Sequence, residues 1–182
     1  MPKRVRPLTP DEHARVVDYF HSAGDDLLKI MGVERVLLKP RDGWLAALLA
    51  DLDRPLEERQ RFYVGWELDG ALIGHSMLSD IEFGKEARIH LHIWVSPKRR
   101  GGLGSWFFSN SAAFFIETFQ LQTLICEPHA ENPAPNALLK KVGFHLVRSY
   151  WTRPGAHCFE QVVNRYEIDH TEIDEIVQRV GD

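Results

Sequence analysis

The chain has 182 residues, a formal net charge of −4 and a hydrophobic content of 44%, values that fit one soluble globular domain. The negative charge argues against general nucleic-acid binding, and no apolar run approaches the roughly 20 residues that a membrane span needs. The basic N-terminus, MPKRVRPLTP, lacks the apolar segment of a secretory signal. Since Cys126 and Cys158 are the two cysteines of a chain without such a signal, we expect no disulfide and a cytoplasmic location.

Residues 10–60 predict several short helices. Thr9 and Glu12 have the spacing of a capping box, and Pro10 occupies the first helical position. The helix that begins there should end near Gly24, where the apolar spacing stops. Further helices are predicted over residues 27–31 and 44–52, and from Pro55 onward.

Three strands are predicted after these helices. Arg61–Leu68 and Ala71–Leu78 are rich in apolar and β-branched residues, and the Asp69-Gly70 pair between them is a strong hairpin signal. A looser turn near Gly84 leads to a third apolar segment, Ala87–Val95. We expect these segments to form an antiparallel meander.

The third strand runs into a basic, glycine-rich turn and then a long aromatic-rich helix, predicted over residues 102–118. The first turn of a helix offers backbone N–H groups and the positive end of the helix dipole, which suit a phosphate. Glycines at this place let the backbone approach a ligand closely. The turn could equally be a simple strand-to-helix connection. The predicted anion contacts are the backbone N–H groups of Arg100, Gly101, Gly102, Leu103, Gly104 and Ser105, with the Arg99 side chain beside them.

The second half of the chain alternates strands and helices. Leu121–Cys126 is a short apolar run typical of a buried parallel strand. A helix in the NPAPNALLKKV stretch after Pro128 should end at Gly143, and Thr171 could cap a last amphipathic helix over residues 171–180. Two more strands are predicted over residues 144–152 and 158–168, joined by a turn at Pro154-Gly155. The element order indicates a mixed α/β fold.

The Arg99-x-x-Gly102-x-Gly104 turn and the later stretch NPAPNALLKKVGF at Asn132–Phe144 together resemble the GNAT superfamily of acetyl-CoA-dependent N-acetyltransferases. The resemblance covers roughly residues 60–167. It implies a mixed α/β, GNAT-like fold: a largely antiparallel, splayed central sheet of about six to seven strands with helices on both faces. It also implies one domain over residues 1–182, in which helices at 10–60 shape the acceptor pocket and the helix at 171–180 lies beyond the core.

Two positions depart from the pattern of this family. Pro97 precedes Arg99 by two residues instead of three, so either Val95 or Trp94 could supply the backbone N–H that faces the thioester carbonyl. Leu139 stands where many members carry a tyrosine that acts as general acid. Another group would then protonate the leaving thiolate, or none is needed.

Two asparagines are further candidates for cofactor contact. The resemblance places Asn132 at the pantetheine or catalytic end of acetyl-CoA, and Asn136 lies one helical turn later. Asparagine is also a favoured helix N-cap residue, so both positions could instead be structural.

His90 and His92 are the leading candidates for proton transfer. They are two apart on a strand, so both side chains should point to one face, and imidazole accepts protons near neutral pH. They could instead be hydrogen-bonded residues of a layer interface. Glu127 could act as a base through water or orient a histidine, and Tyr150 could replace the missing acid. The H-x-H pair is too few ligands for a metal site, so no metal is expected.

These features predict an N-acetyltransferase that moves the acetyl group of acetyl-CoA to a primary amine of a small molecule or peptide. The amine would attack the thioester directly within a ternary complex. The alternatives are a non-catalytic acyl-CoA-binding sensor or interaction module, and an acyltransferase that uses another acyl-CoA. The expected partner is the amine acceptor, with a homodimer possible and with neither nucleic acid nor membrane.

Overall fold

Seven strands form one sheet in the part of the chain that the structure, a computed structural model, describes: residues 2–95 and 102–181. The strands are β1 Lys3–Pro7, β2 Arg61–Leu68, β3 Ala71–Glu82, β4 Glu86–Ile93, β5 Thr123–Cys126, β6 His145–Thr152 and β7 Gln161–Asp169. The helices are α1 His13–Ser22, α2 Asp25–Ile30, α3 Arg41–Leu52, α4 Leu103–Phe119, α5 Pro133–Val142 and α6 Ile173–Val180. None of the helices in these ranges is long and apolar enough to cross a membrane.

The sheet has the order β1-β2-β3-β4-β5-β7-β6 and is antiparallel except where β4 meets β5. The predicted meander of β2, β3 and β4 is confirmed. Strand β1 was not predicted, although it pairs with β2 through Val5↔Trp66 and its neighbours. Its sequence, KRVRP, lacks an apolar alternation because it lies on the edge of the sheet, where basic side chains reach solvent.

The sheet opens between β4 and β5, as the resemblance implied. The two strands are parallel and pair from Glu86↔Thr123 to Arg88↔Ile125. Strand β4 continues to Ile93 without further β5 pairing in the described residues. The backbones therefore diverge on the side of the sheet where β4 leads toward α4.

Each face of the sheet is covered by its own apolar core. On one face, α4 and α6 pack on a cluster that includes Trp66, Phe107 and Phe115. On the other face, α1 and α3 pack on a cluster that includes Phe20 and Tyr63. The predicted arrangement, a largely antiparallel sheet with helices on both faces, is confirmed.

Several element boundaries differ from the predicted ones. Strand β3 extends to Glu82 because a bulge, marked by the positive φ of Asp80, lets pairing with β4 resume. The charged segment after Pro55 is a single 3-10 turn. The predicted Thr171 cap is wrong: the Asp169 carboxylate accepts the Thr171 N–H at 2.9 Å and begins a 3-10 turn that precedes α6. The Gly143 stop is confirmed by its φ of 109° at the end of α5.

Candidate active site

The N-terminus of α4 lies beside the opening in the sheet. A Cβ placed on Gly104 would contact Ile93 Cδ1 at 3.6 Å and Leu138 Cδ1 at 3.8 Å, so this turn sits between the end of β4 and α5. Gly102 is the N-cap residue with a φ of 79°. Apart from its chain neighbours and the backbone of α4, no atom of the described residues lies within 4 Å of the position that its Cβ would take. The backbone here is open to a ligand, which fits the close approach of a phosphate.

Part of the predicted anion site can be located. The Ser105 N–H donates to the Gly102 carbonyl at 3.0 Å, so it is used at the start of the helix. The N–H groups of Leu103 and Gly104 belong to the first helical turn, where the ladder of α4 supplies no acceptor. The remaining predicted contacts, Arg99, Arg100 and Gly101, lie outside the described residues.

Either Trp94 or Val95, just after β4, was expected to supply the backbone N–H that faces the thioester carbonyl. The Trp94 N–H donates to the Ile73 carbonyl at 2.8 Å, so it is engaged with β3. Strand β4 ends at Ile93, so Trp94 and Val95 both lie in the segment that follows the strand. The side chain of Val95 is 37% exposed.

His90 and His92 lie on one face of β4, as predicted from their spacing, and Ile89 and Leu91 pack in the core on the other face. A ring nitrogen of His90, Nε2, is 2.9 Å from the Ser79 hydroxyl. Burial lowers the pKa of His90 to about 4. His90 is therefore neutral near pH 7 and is held by a hydrogen bond to β3.

His92 lies among other rings. Its centroid is 4.9 Å from that of Phe20, 5.5 Å from that of Tyr19 and 5.0 Å from that of His75. Since Tyr19 and Phe20 belong to α1, this histidine joins the sheet to the helices that precede it. The residue is partly exposed.

His75 is a buried neighbour of His92 on β3. It lies opposite His92 in the β3–β4 register, and the Trp94 indole N–H donates to its Nδ1 at 2.9 Å. Its proton is therefore on Nε2, which has no hydrogen-bond partner among the described residues. Burial lowers the pKa of His75 to about 3, so a neutral imidazole stacks on His92.

These buried histidines make the stability of the fold depend on pH. The unfolded chain binds protons on His75 and His90 below about pH 6.5, whereas the folded chain binds them only near pH 3 and pH 4. The free energy of unfolding should therefore fall as pH drops from 6.5 to 4.5, by roughly 2–3 kcal/mol for His75 alone. Urea unfolding at pH 7, 5.5 and 4.5 measures this, and His75→Gln should flatten the dependence. An equal pH dependence in wild type and variant would contradict this assignment.

Glu127 lies at the end of β5 and holds four strands together. Its side chain is 4% exposed and pairs with Arg88 of β4 at 3.1 Å and Arg165 of β7 at 3.4 Å. The Tyr150 hydroxyl of β6 donates to Glu127 Oε1 at 2.5 Å. Burial, with this hydrogen bond, raises the pKa of Tyr150. The contacts describe a carboxylate paired with two guanidinium groups.

Replacing this carboxylate should destabilise the fold. In Glu127→Gln two partly buried guanidinium groups lose their shared carboxylate, although Arg88 keeps its pair with Asp80 at 2.9 Å and Arg165 keeps its pair with Glu167 at 2.5 Å. Breaking a buried pair by removing one member costs about 3 kcal/mol, which corresponds to a Tm lower by about 6–12 °C. Differential scanning calorimetry measures the change.

The matched control removes an exposed carboxylate. Glu172 pairs with His145 at 2.7 Å, and their side chains are 38% and 64% exposed. Glu172→Gln should change the free energy of unfolding by less than about 1 kcal/mol. If both variants lowered Tm equally, the Glu127 network would not have the structural role described.

The helix asparagines have different surroundings. The Asn136 amide donates to the carbonyls of His129 and Asn132, and its Oδ1 accepts from Asn164 and Tyr166. Asn136 is buried, so its polar group serves the packing of α5 on β7. Asn132 occupies the N-cap position of α5 without a side-chain cap bond and is partly exposed.

The position of the family tyrosine and both cysteines lie in the protein interior. Leu139, at the position of the family tyrosine, is fully buried in the core. Cys126 and Cys158 are buried free thiols whose pKa is raised by burial, that of Cys158 to about 11. Among the described residues no group of three or more His, Cys, Asp or Glu side chains could hold a metal ion.

Comparison with known proteins identifies the family. The Acetyltransferase (GNAT) domain family matches residues 4–145. The chain therefore belongs to the GNAT acetyltransferase family and is an N-acetyltransferase by class, which confirms the predicted membership. No curated protein sequence matches the chain at a significant level.

Solved structures of this family share the fold at low identity. Spermidine N-acetyltransferase from Vibrio cholerae, in complex with CoA and spermine, is 16% identical with a TM-score of 0.72, over 94% of this chain and 97% of that one. RimJ of Mycobacterium smegmatis, in complex with CoA-disulfide, is 16% identical with a TM-score of 0.72, over 98% and 87%. Ribosomal-protein-S5-alanine acetyltransferase of Vibrio fischeri is 14% identical with a TM-score of 0.70, over 92% and 93%.

Proposed function

We propose that this enzyme transfers the acetyl group of acetyl-CoA to a primary amine of a small molecule or peptide, by direct attack in a ternary complex. The observation that carries the proposal is the opening of the sheet beside the N-terminus of α4. Pairing of β4 with β5 ends at Arg88↔Ile125. The first turn of α4 lies next to the end of β4, since Gly104 is close to Ile93. The acceptors named for the structural neighbours, polyamines and a protein alanine, are also amines.

Different residues at the opening bind different parts of acetyl-CoA. The N–H groups of the first α4 turn, with Arg99 and Arg100, bind the pyrophosphate. The N–H of Val95 faces the opening, where a donor stabilises charge on the thioester oxygen, an effect worth about 3 kcal/mol in known enzymes. Asn132 contributes a side chain from the start of α5, whereas the amide of Asn136 is already used within the protein.

His92 is the proton acceptor in this proposal. An alkyl ammonium has a pKa near 10.4 in water, so the acceptor must lose a proton before it attacks. An efficient base has a pKa near the working pH, and the value of about 4 makes His90 a poor one. Neutral His75 positions His92 by ring stacking, whereas His90 is held by its own hydrogen bond to Ser79 of β3.

Glu127 and Tyr150 support the site more than they exchange protons with the substrate. The Glu127 carboxylate is already paired with two arginines. The pKa of Tyr150 is raised, so its hydroxyl is protonated at neutral pH, as a general acid must be. That hydroxyl, however, is engaged as a hydrogen-bond donor to Glu127. Neither residue is required if the CoA thiolate leaves as an anion or takes the proton released by the amine.

Direct attack is favoured over a covalent acyl-enzyme. The thiolate is the nucleophilic form of cysteine, and burial keeps Cys126 and Cys158 protonated near pH 7. Holding the amine and the thioester in line then supplies much of the acceleration. The N-terminal helices α1, α2 and α3 shape the acceptor side of the cleft.

The function is tested by release of CoA thiol from acetyl-CoA in the presence of single amines and of peptides with a free N-terminus, with mass spectrometry of the product. Amine-dependent thiol release with an acetylated amine is the expected result. Stabilisation of the protein by CoA without thiol release from any acceptor would favour the acyl-CoA-binding alternative. Faster release from propionyl-CoA or longer thioesters would favour another acyl donor.

A further inference from the structure

We infer that the acceptor subsite is a ring-lined surface that selects a monoamine with an apolar or aromatic body over a polyamine. The inference rests on the proposed function and concerns the substrate class of the same site. The surface, here called the ring cluster, is formed by side chains from α1, α3, β4 and the β6–β7 connection: Tyr19, Phe20, Trp44, His92 and His157.

The ring cluster is continuous. Phe20 is its centre, with ring centroids 4.9 Å from His92, 5.4 Å from Trp44 and 5.8 Å from His157. Trp44 and His157 also contact each other at 5.6 Å. Phe20 is buried, whereas the four rings around it are partly exposed. An amine that reaches His92 therefore has ring faces and edges beside its carbon skeleton, an arrangement that favours a flat or apolar body.

His157, in the ring cluster, and His75, which stacks on its His92, add little positive charge near pH 7. Burial lowers the pKa of His157, with further lowering by the charges of Arg61 and Lys39. His75, stacked on His92, is neutral as well. The imidazoles therefore extend the apolar ring surface at the pH where transfer is expected.

The charges around the ring cluster disfavour a second ammonium group. Arg61 and Lys39 act on His157, and the Arg15 guanidinium lies 4.9 Å from the Trp94 ring beside His75. Like charges at such separations repel one another. A polyamine would bring additional positive charge to this cationic border.

Two of the acids near the same border, Asp18 and Asp25, are paired with arginines. Asp18, next to Tyr19 on α1, binds Arg41 at 2.6 Å. Asp25 at the start of α2 binds Arg35 at 2.6 Å. A second ammonium group would have to displace an arginine to gain either of these two carboxylates.

The test compares kcat/KM for pentylamine, putrescine, phenethylamine and spermidine at saturating acetyl-CoA, by thiol release. Pentylamine and putrescine have similar length and differ in the second ammonium group. We expect pentylamine to exceed putrescine, and phenethylamine to exceed spermidine, each by about tenfold or more. Putrescine or spermidine as the better substrate would overturn the inference while leaving the proposed function standing. No thiol release with any amine would overturn both.

Variants of Trp44 test whether the rings themselves select the substrate. Trp44→Ala should raise KM for phenethylamine about tenfold with little change in kcat, and Trp44→Phe, which keeps a ring, should restore most of the affinity. Trp151→Ala is the matched control, since Trp151 is 65% exposed on β6. Equal KM values in wild type and Trp44→Ala, with circular dichroism confirming that both are folded, would overturn the assignment of the ring cluster.

Discussion

Replacing Gly102 by glutamate should abolish the stabilisation of this protein by acetyl-CoA. A ligand at about 100 times its Kd stabilises the folded state by about 2.7 kcal/mol, which would raise the wild-type Tm by about 5–11 °C. Gly102 caps α4 and has open space where a side chain would extend. A carboxylate there would occupy the place of the pyrophosphate and repel it, so the thermal shift should vanish.

Gly102→Gln is the matched control for this variant. Both substitutions impose the same cost of a non-glycine residue at a φ of 79°, and their side chains have nearly the same size. The Gln variant should therefore lose the same intrinsic stability but keep part of the acetyl-CoA shift. If glutamate and glutamine reduced the shift equally, charge at the helix N-terminus would not be the cause. If neither reduced it, the cofactor would bind elsewhere.

Replacing His92 by phenylalanine should lower kcat for acetyl transfer by about 10²–10⁴ at pH 7. Phenylalanine keeps a ring beside Phe20 and His75 but cannot accept a proton. The KM for acetyl-CoA should change little, since His92 lies on the acceptor side of the opening. Steady-state kinetics with a single amine measures both values.

The pH profile separates a base from a packing residue. As pH rises toward the pKa of the amine, more acceptor is already deprotonated, so the deficit of His92→Phe should narrow. His90→Gln should lose less than about tenfold, because a group with a pKa near 4 is a poor base. A larger loss in His90→Gln than in His92→Phe, or a deficit independent of pH, would contradict the assignment of His92.

Much of the fold could be predicted from local patterns. The Asp69-Gly70 hairpin, the buried β5 run and the Gly143 stop depend on residues close in sequence, and each is confirmed. Strand β1 could not be found in this way, because KRVRP becomes a strand only by pairing with β2. The cap before the last helix was predicted at Thr171 but lies two residues earlier, at Asp169, because both residue types suit a cap.

The site was less accessible to sequence reasoning. The H-x-H spacing of β4 placed His90 and His92 on one face, as the structure has them. The ring cluster could not be predicted, since it joins α1, α3, β4 and the β6–β7 connection. The Glu127 network depends likewise on the strand order, which brings Arg88 and Arg165 to the same carboxylate. Only the strand order, which the sequence does not state, would have predicted this network.

Hydrogen–deuterium exchange with and without acetyl-CoA tests most directly that the opening between β4 and β5 is the cofactor site. The account predicts slower exchange at saturating acetyl-CoA in two segments, the end of β4 over residues 91–95 and the first turn of α4 over residues 102–106. Unchanged exchange in both segments, or protection confined to other parts of the chain, would contradict it.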